Sequence, residues 1–99
     1  MDEKQYCVYI LTNLRHTVLY TGITNDLYRR MLEHRSGEGS AFTRKYKVIK
    51  LVYFECGQDV SSAISREKQI KAGSRKKKME LIHGMNPEWV DLFEVYFET

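Results

Sequence analysis

Residues 6–24, YCVYILTNLRHTVLYTGIT, constrain the fold more than any other stretch. Two runs rich in aromatic, aliphatic and β-branched residues flank a short polar segment, the pattern of a β-hairpin. The first run, residues 5–11, is apolar on both faces and so belongs at the centre of a sheet. Residues 13–17 are the predicted turn and residues 18–23 the second strand. A turn of about five residues opposes positions whose numbers sum to about 29, which pairs Tyr9 with Tyr20 on one face. Two phenols there are either a stabilising aromatic pair or, because a buried hydroxyl needs a partner, a polar spot on an apolar sheet.

After Gly22 the period lengthens to that of a helix. Thr24 is placed to cap a helix running to about His34, with Asp26 in its first turn. Residues 36–40, SGEGS, read as a loop. A third strand is predicted over residues 48–54, broken by Gly57 and Asp59. Asp59 or Ser61 then caps a helix ending at Gly73, and a basic helix follows near residues 74–82. Asn86 precedes Pro87 and reads as the cap of a short terminal helix with proline in its first position. The expected fold is one α+β domain over residues 1–99: a three-stranded antiparallel sheet flanked by helices, in the order ββα-β-αα. Ninety-nine residues, 42% of them hydrophobic, are enough for one modest core.

No stretch is apolar over the length a membrane span requires, and the polar start MDEKQ lacks the apolar centre of a signal peptide. The two cysteines, Cys7 and Cys56, lie in apolar runs without metal-type spacing. They read as small buried hydrophobes in a chain of the reducing cytoplasm. The net charge of +3 is unevenly spread. Arg44, Lys45, Lys47 and Lys50 form one basic cluster; Lys68, Lys71, Arg75, Lys76, Lys77 and Lys78 form another. From Glu80 onward there are five acids and no Lys or Arg. Such polarity suits a polyanion on one side, and it equally suits solvated helix faces.

Three polar residues fall on helix stripes that should face the sheet. Leu27, Arg30, Met31 and His34 recur at spacings of three and four, which puts Arg30 and His34 beside an apolar seam. They either snorkel at its rim or point into a site. Glu67 falls in the stripe of Val60, Ala63, Ile64 and Ile70. A carboxylate there needs either a Lys or Arg partner or a hard cation, since its burial alone costs several kcal/mol. Mg²⁺ is commonly held by one such carboxylate together with waters and a substrate phosphate.

Taken together, these segments resemble the GIY-YIG endonuclease superfamily, and in particular its small stand-alone bacterial members. Cys7-Val8-Tyr9 and Tyr20-Thr21-Gly22 resemble the two signature tripeptides. GITNDLYRRMLEH, residues 22–34, is similar to the block that carries an Arg and a His, here Arg30 and His34. AISREKQIK, residues 63–71, is similar to the block with the metal-binding Glu, here Glu67, and NPEWVDL, residues 86–92, to the end of the small members. The departures are Cys7 for Gly, Val8 for Ile and Thr21 for Ile; both tyrosines and Gly22 remain. The resemblance implies a metal-dependent endonuclease acting on DNA, in repair or processing, with Mg²⁺ or Mn²⁺ as cofactor. It implies Tyr9 as base or relay, assisted by Tyr20 and His34, Arg30 on the phosphate and Glu67 on the metal, all converging on one concave surface beside the sheet. Thr43 or Tyr46 would fill a further polar position. Lys45, Lys71, Arg75, Lys76, Lys77 and Lys78 would line the nucleic acid, and a protein partner would supply target specificity. The alternative is a nucleic-acid-binding module of the same fold with little or no cleavage.

Overall fold

The computed structural model describes residues 5–98; the charged start of the chain, read above as lacking a leader, lies outside them. Three strands, β1 (Tyr6–Thr12), β2 (Leu19–Thr24) and β3 (Lys50–Gly57), form an antiparallel sheet in the order β2-β1-β3. The strand that is apolar on both faces is indeed the central one. Helices α1 (Leu27–Arg35), α2 (Ala41–Tyr46), α3 (Val60–Ala72), α4 (Arg75–Met85) and α5 (Leu92–Phe97) complete the chain. The architecture is the expected α+β sheet with flanking helices. Among the described residues no helix is long and apolar enough to cross a membrane.

Alternation along β1 sends its side chains into two cores, one on each face. Cys7, Tyr9 and Leu11 pack with Leu27 and Met31 of α1, and with Leu92 and Phe93 of α5. Val8 and Ile10 pack on the other side with Val52, Ile70 of α3, Ile82 of α4 and Trp89. The sheet is therefore the middle of three layers.

The hairpin register differs from the expectation. Tyr9 faces Gly22, and Tyr20 faces Leu11. The turn is longer because the Asn13 side chain accepts from the amides of Thr17 and Val18 and donates to the Thr17 hydroxyl, closing a wider loop. A shift of two residues preserves the face, so Tyr9 and Tyr20 remain on the same side of the sheet.

Several boundaries move for local reasons. Asp26, not Thr24, caps α1 by accepting from the Arg29 amide; the Thr24 hydroxyl accepts from the Asp26 amide instead. Asp59, Ser74 and Ser40 cap α3, α4 and α2 in the same way. Helix α2 fills the stretch between the expected loop and the third strand, for which no element was predicted. Asn86 caps no following helix. It ends α4, and its buried amide donates to the carbonyls of Val52 and Val90 while its oxygen accepts from the Val90 amide. The terminal helix is capped by Asp91, which also accepts from the Leu51 amide and pairs with Arg35. Cys7 and Cys56 are not free thiols: they oppose each other across β1 and β3 and form a disulfide. Only the strand register brings together cysteines 49 residues apart in sequence, so spacing could not reveal the pair. The inference of a reducing compartment from unpaired cysteines falls with it.

Asn86→Ala should orphan the buried Val52 carbonyl and free the part-buried amide and carbonyl of Val90. We expect a loss of about 2 kcal/mol in urea unfolding; a loss under about 0.5 kcal/mol would mean that the terminal segment is held by its apolar contacts alone.

Candidate functional site

Gly22 explains how a tyrosine fits inside a tightly packed sheet. A Cβ at this position would overlap the Tyr9 hydroxyl and stand 2.9 Å from Cε2. The missing side chain lets the Tyr9 ring lie across β2, so Gly22 serves the close approach of a side chain. The Tyr9 ring is 1% exposed, and its hydroxyl would be an expensive orphan without partners. It has two. His34 Nε2 lies 3.2 Å away and Arg30 Nε donates from 3.4 Å.

Helix α1 supplies both partners from one face, as its spacing foretold. Its buried residues are Leu27, Met31 and His34, and Arg30 stands beside them at the rim. Arg30 is anchored outward by Glu33 Oε1 at 3.0 Å. Tyr20 completes the cluster, its ring centroid 6.5 Å from that of Tyr9 and 5.9 Å from that of His34. Tyr20 is half-buried, so it and Arg30 form the open side, with Tyr9 and His34 behind them.

The electrostatics follow from that burial. Desolvation raises the Tyr9 phenol above its ordinary value, and the Arg30 hydrogen bond opposes the shift. Burial lowers the His34 imidazole below its ordinary 6.5, and the nearby Arg30 charge lowers it further. At neutral pH the cluster thus pairs a neutral imidazole with a phenol whose ionised form has a cation at hand.

The sequence named Thr43 or Tyr46 for a further polar role. Thr43 is 2% exposed and sits behind His34, its Oγ1 3.2 Å from Nδ1. Tyr46 is exposed and packs on Phe42, which stacks on Tyr20. Gly39 read only as a loop residue. A Cβ there would overlap His34 Nδ1 and come within 2.8 Å of Thr43 Oγ1. Its role depends on which side chain lies beneath the loop, which no local pattern signals.

Among the described contacts none joins Glu67 to this cluster. Helix α3 covers the opposite face, with Ile70 in the second core. The physical reason is the alternation of layers: α1 follows β2 onto one face and α3 follows β3 onto the other. Helix α3 packs mainly across β2 and β1. The Glu67 side chain is 14% exposed. Among the described ion pairs it joins only Lys71 Nζ, at 3.6 Å one turn along, and Lys71 is 66% exposed. Thr21 faces the same layer, and its Oγ1 is buried without a partner among the described residues. A single carboxylate with spare lone pairs fits a hydrated hard cation such as Mg²⁺. Among the described residues no group of three His, Cys, Asp or Glu forms a multi-ligand cage.

The cations expected along the nucleic acid divide into two kinds. Arg75 donates to the carbonyls of His16 and Thr17 and clamps the hairpin loop. Lys78 donates to the carbonyls of Lys71 and Gly73 and caps the end of α3. Lys45 lies over the Tyr46 ring. Lys76 and Lys77 are exposed on α4.

Comparison with known proteins shows the family and the fold. Residues 5–80 match the family model of the GIY-YIG catalytic domain. The chain is similar to a UPF0213 protein of Haloquadratum walsbyi, 49% identical over 81 residues, covering 82% of this chain and 89% of that one. A UPF0213 protein of Syntrophus aciditrophicus is 43% identical over 87 residues, covering 87% of this chain and 97% of its own. The solution NMR structure of a UPF0213 protein from Bacillus halodurans superposes with a TM-score of 0.58 at 29% identity, covering 93% of this chain and 97% of that one.

Because the folded His34 resists protonation, the unfolded chain binds more protons just below pH 6.5. Stability from this group is therefore complete above the unfolded value and is lost as pH falls through the folded one. His16, also shifted down by burial, acts with the same sign. We expect the melting temperature to fall on acidification from pH 7.5 to 5, and His34→Gln to flatten that dependence. An unchanged slope in the variant would refute a buried neutral imidazole.

Proposed function

Since the chain belongs to the GIY-YIG catalytic domain family, we propose that it is a metal-dependent endonuclease, acting over residues 1–99 as one domain and hydrolysing phosphodiester bonds in DNA, in repair or processing. The observation that carries the reading is the Tyr9 hydroxyl held between His34 Nε2 and Arg30 Nε beside Tyr20. A phenol ionises near pH 10 and needs a cation to work as a base near neutrality. Arg30 is that cation, and its partly exposed guanidinium can also meet a phosphate. In this reading Tyr9 takes the proton of the attacking water, assisted by His34 and Tyr20, and Arg30 stabilises the charge that develops on the phosphate. Glu67 would hold Mg²⁺ or Mn²⁺ from the α3 layer. Once bound, the cation supplies charge neutralisation at the phosphate and the leaving oxygen. Lys76 and Lys77 contact phosphates without reading sequence, so target choice is left to substrate shape or to a protein partner.

A cleavage panel over duplex, branched, flapped and single-stranded DNA and RNA tests the reading. We expect cleavage that requires divalent metal and prefers DNA. Tyr9→Phe and Glu67→Gln should abolish cleavage while binding persists. Because Lys71 is largely exposed, losing its partner should cost the Glu67→Gln protein little stability. Mg²⁺ should raise the melting point of the parent and not that of the variant. Binding without cleavage of any substrate, with no effect of Mg²⁺ on the parent's melting point, would overturn the enzyme and leave the binding module.

Lys76→Ala with Lys77→Ala should weaken DNA binding and flatten its salt dependence by about two units of slope, roughly one per phosphate contact removed. Lys78→Ala should instead act on stability, since its ammonium holds the end of α3. Equal salt slopes for the double variant and the parent would make that run a solvated face.

A further inference from the structure

We infer that Thr43 is a positioning residue that fixes His34 in the Nδ1–H tautomer, so that the Nε2 lone pair always faces Tyr9. The inference bears on catalysis only through the site proposed above, but the tautomer itself is a property of the free protein. The argument is a complete assignment of protons along a buried chain of hydrogen bonds. At one end stands Arg30, which can only donate, so it occupies a lone pair of the Tyr9 oxygen. The other described hydrogen-bond partner of that oxygen is His34 Nε2 at 3.2 Å, so the Tyr9 proton must go there. Nε2 is then an acceptor, and in the neutral ring Nδ1 carries the hydrogen.

The far end of the chain gives the same answer. Thr43 Oγ1 lies 3.0 Å from the Ser40 carbonyl, which can only accept, so its single proton points there. It receives the Ser40 hydroxyl at 3.2 Å. The remaining lone pair of Thr43 faces His34 Nδ1 at 3.2 Å and accepts its hydrogen. Every hydroxyl and ring nitrogen is then satisfied. The opposite direction, with Thr43 donating to Nδ1 and Nε2 donating to Tyr9, leaves the phenol proton without an acceptor among the described residues. Gly39 closes the arrangement, because any Cβ there would strike both His34 and Thr43. The local helix supports it as well: Ser40 caps α2 by accepting from the Thr43 amide, which fixes the threonine where its hydroxyl meets the ring.

The consequence for the site is directional. With Nδ1–H anchored, His34 can accept a proton from Tyr9 and cannot offer one, which makes it the second stage of a relay from water through the phenol. Thr43 does this without meeting the substrate.

Nitrogen-15 NMR of the His34 ring in the ligand-free protein at pH 7.5 tests the inference. We expect a protonated-type shift at Nδ1 and a lone-pair-type shift at Nε2. Thr43→Val should move the ring toward the Nε2–H form and lower kcat by about 10–100-fold. Thr43→Ser should restore both the tautomer and the rate. An Nε2–H ring in the parent, or a tautomer unmoved in Thr43→Val, would overturn the inference. Should Thr43→Val fail to fold, Thr43→Ala removes the same hydroxyl, and its ring shifts decide. If the NMR result is as expected and no nucleic acid is cleaved, the positioning role stands and the nuclease reading is what fails.

Discussion

The Tyr9 hydroxyl is the constraint from which the rest of the site follows. It sits in the central strand, where a side chain is covered on all sides, and a buried phenol without partners costs on the order of 1–3 kcal/mol. Satisfying it requires His34 and Arg30 at the same place on α1, and so fixes how that helix rolls against the sheet. Burying His34 then creates a second demand at Nδ1, met by Thr43. Two glycines, Gly22 and Gly39, provide the space on either side. In a domain of this size, core and site are the same atoms, so packing holds the chemical groups in place.

A small domain with a polar chain through one core needs other sources of order. The second core, on the α3 and α4 face, is built around Val8, Ile10, Val52, Ile70 and Ile82. Asp91 joins three elements by capping α5, accepting from the Leu51 amide of β3 and pairing with Arg35 of α1, whose guanidinium lies 4.4 Å over the Phe93 ring. The Cys7–Cys56 bond ties β1 to β3 across 49 residues of sequence. By the loop-entropy argument such a closure contributes roughly 4 kcal/mol, mainly by restricting the unfolded chain. These contacts surround the tyrosine cluster without entering it.

What could be read from the sequence depended on whether the signal was local. Strand β1, helix α3 with its Asp59 cap and Gly73 end, and the pairing of Arg30 with His34 on one stripe were all legible, because periodicity and capping are short-range patterns. The Tyr9–Tyr20 relation survived a wrong turn length because a two-residue slip keeps every side chain on its face. Helix α2 was not legible: of its six residues only Thr43 is buried, too few to show a stripe. Asn86 and the cysteines misled for a common reason. Each has a plausible local role, as a cap or as a small hydrophobe, and each is instead used by a partner distant in sequence. Glu67 was correctly seen to face inward, but the layer it faces depends on topology rather than on its own helix.

Charge composition is a poor guide to a binding face for the same reason. Six cations were candidates for nucleic acid, yet Arg75 and Lys78 are used on backbone carbonyls, where each closes an otherwise open loop or helix end. Glu67 presents the converse case. Its one described ion pair is with a largely exposed lysine, and pairs of that kind yield only about 0.3–0.5 kcal/mol. That pair alone is a weak reason for an acid at this position. In the reading proposed above, the spare oxygen lone pairs of this lone carboxylate would serve a hydrated divalent cation.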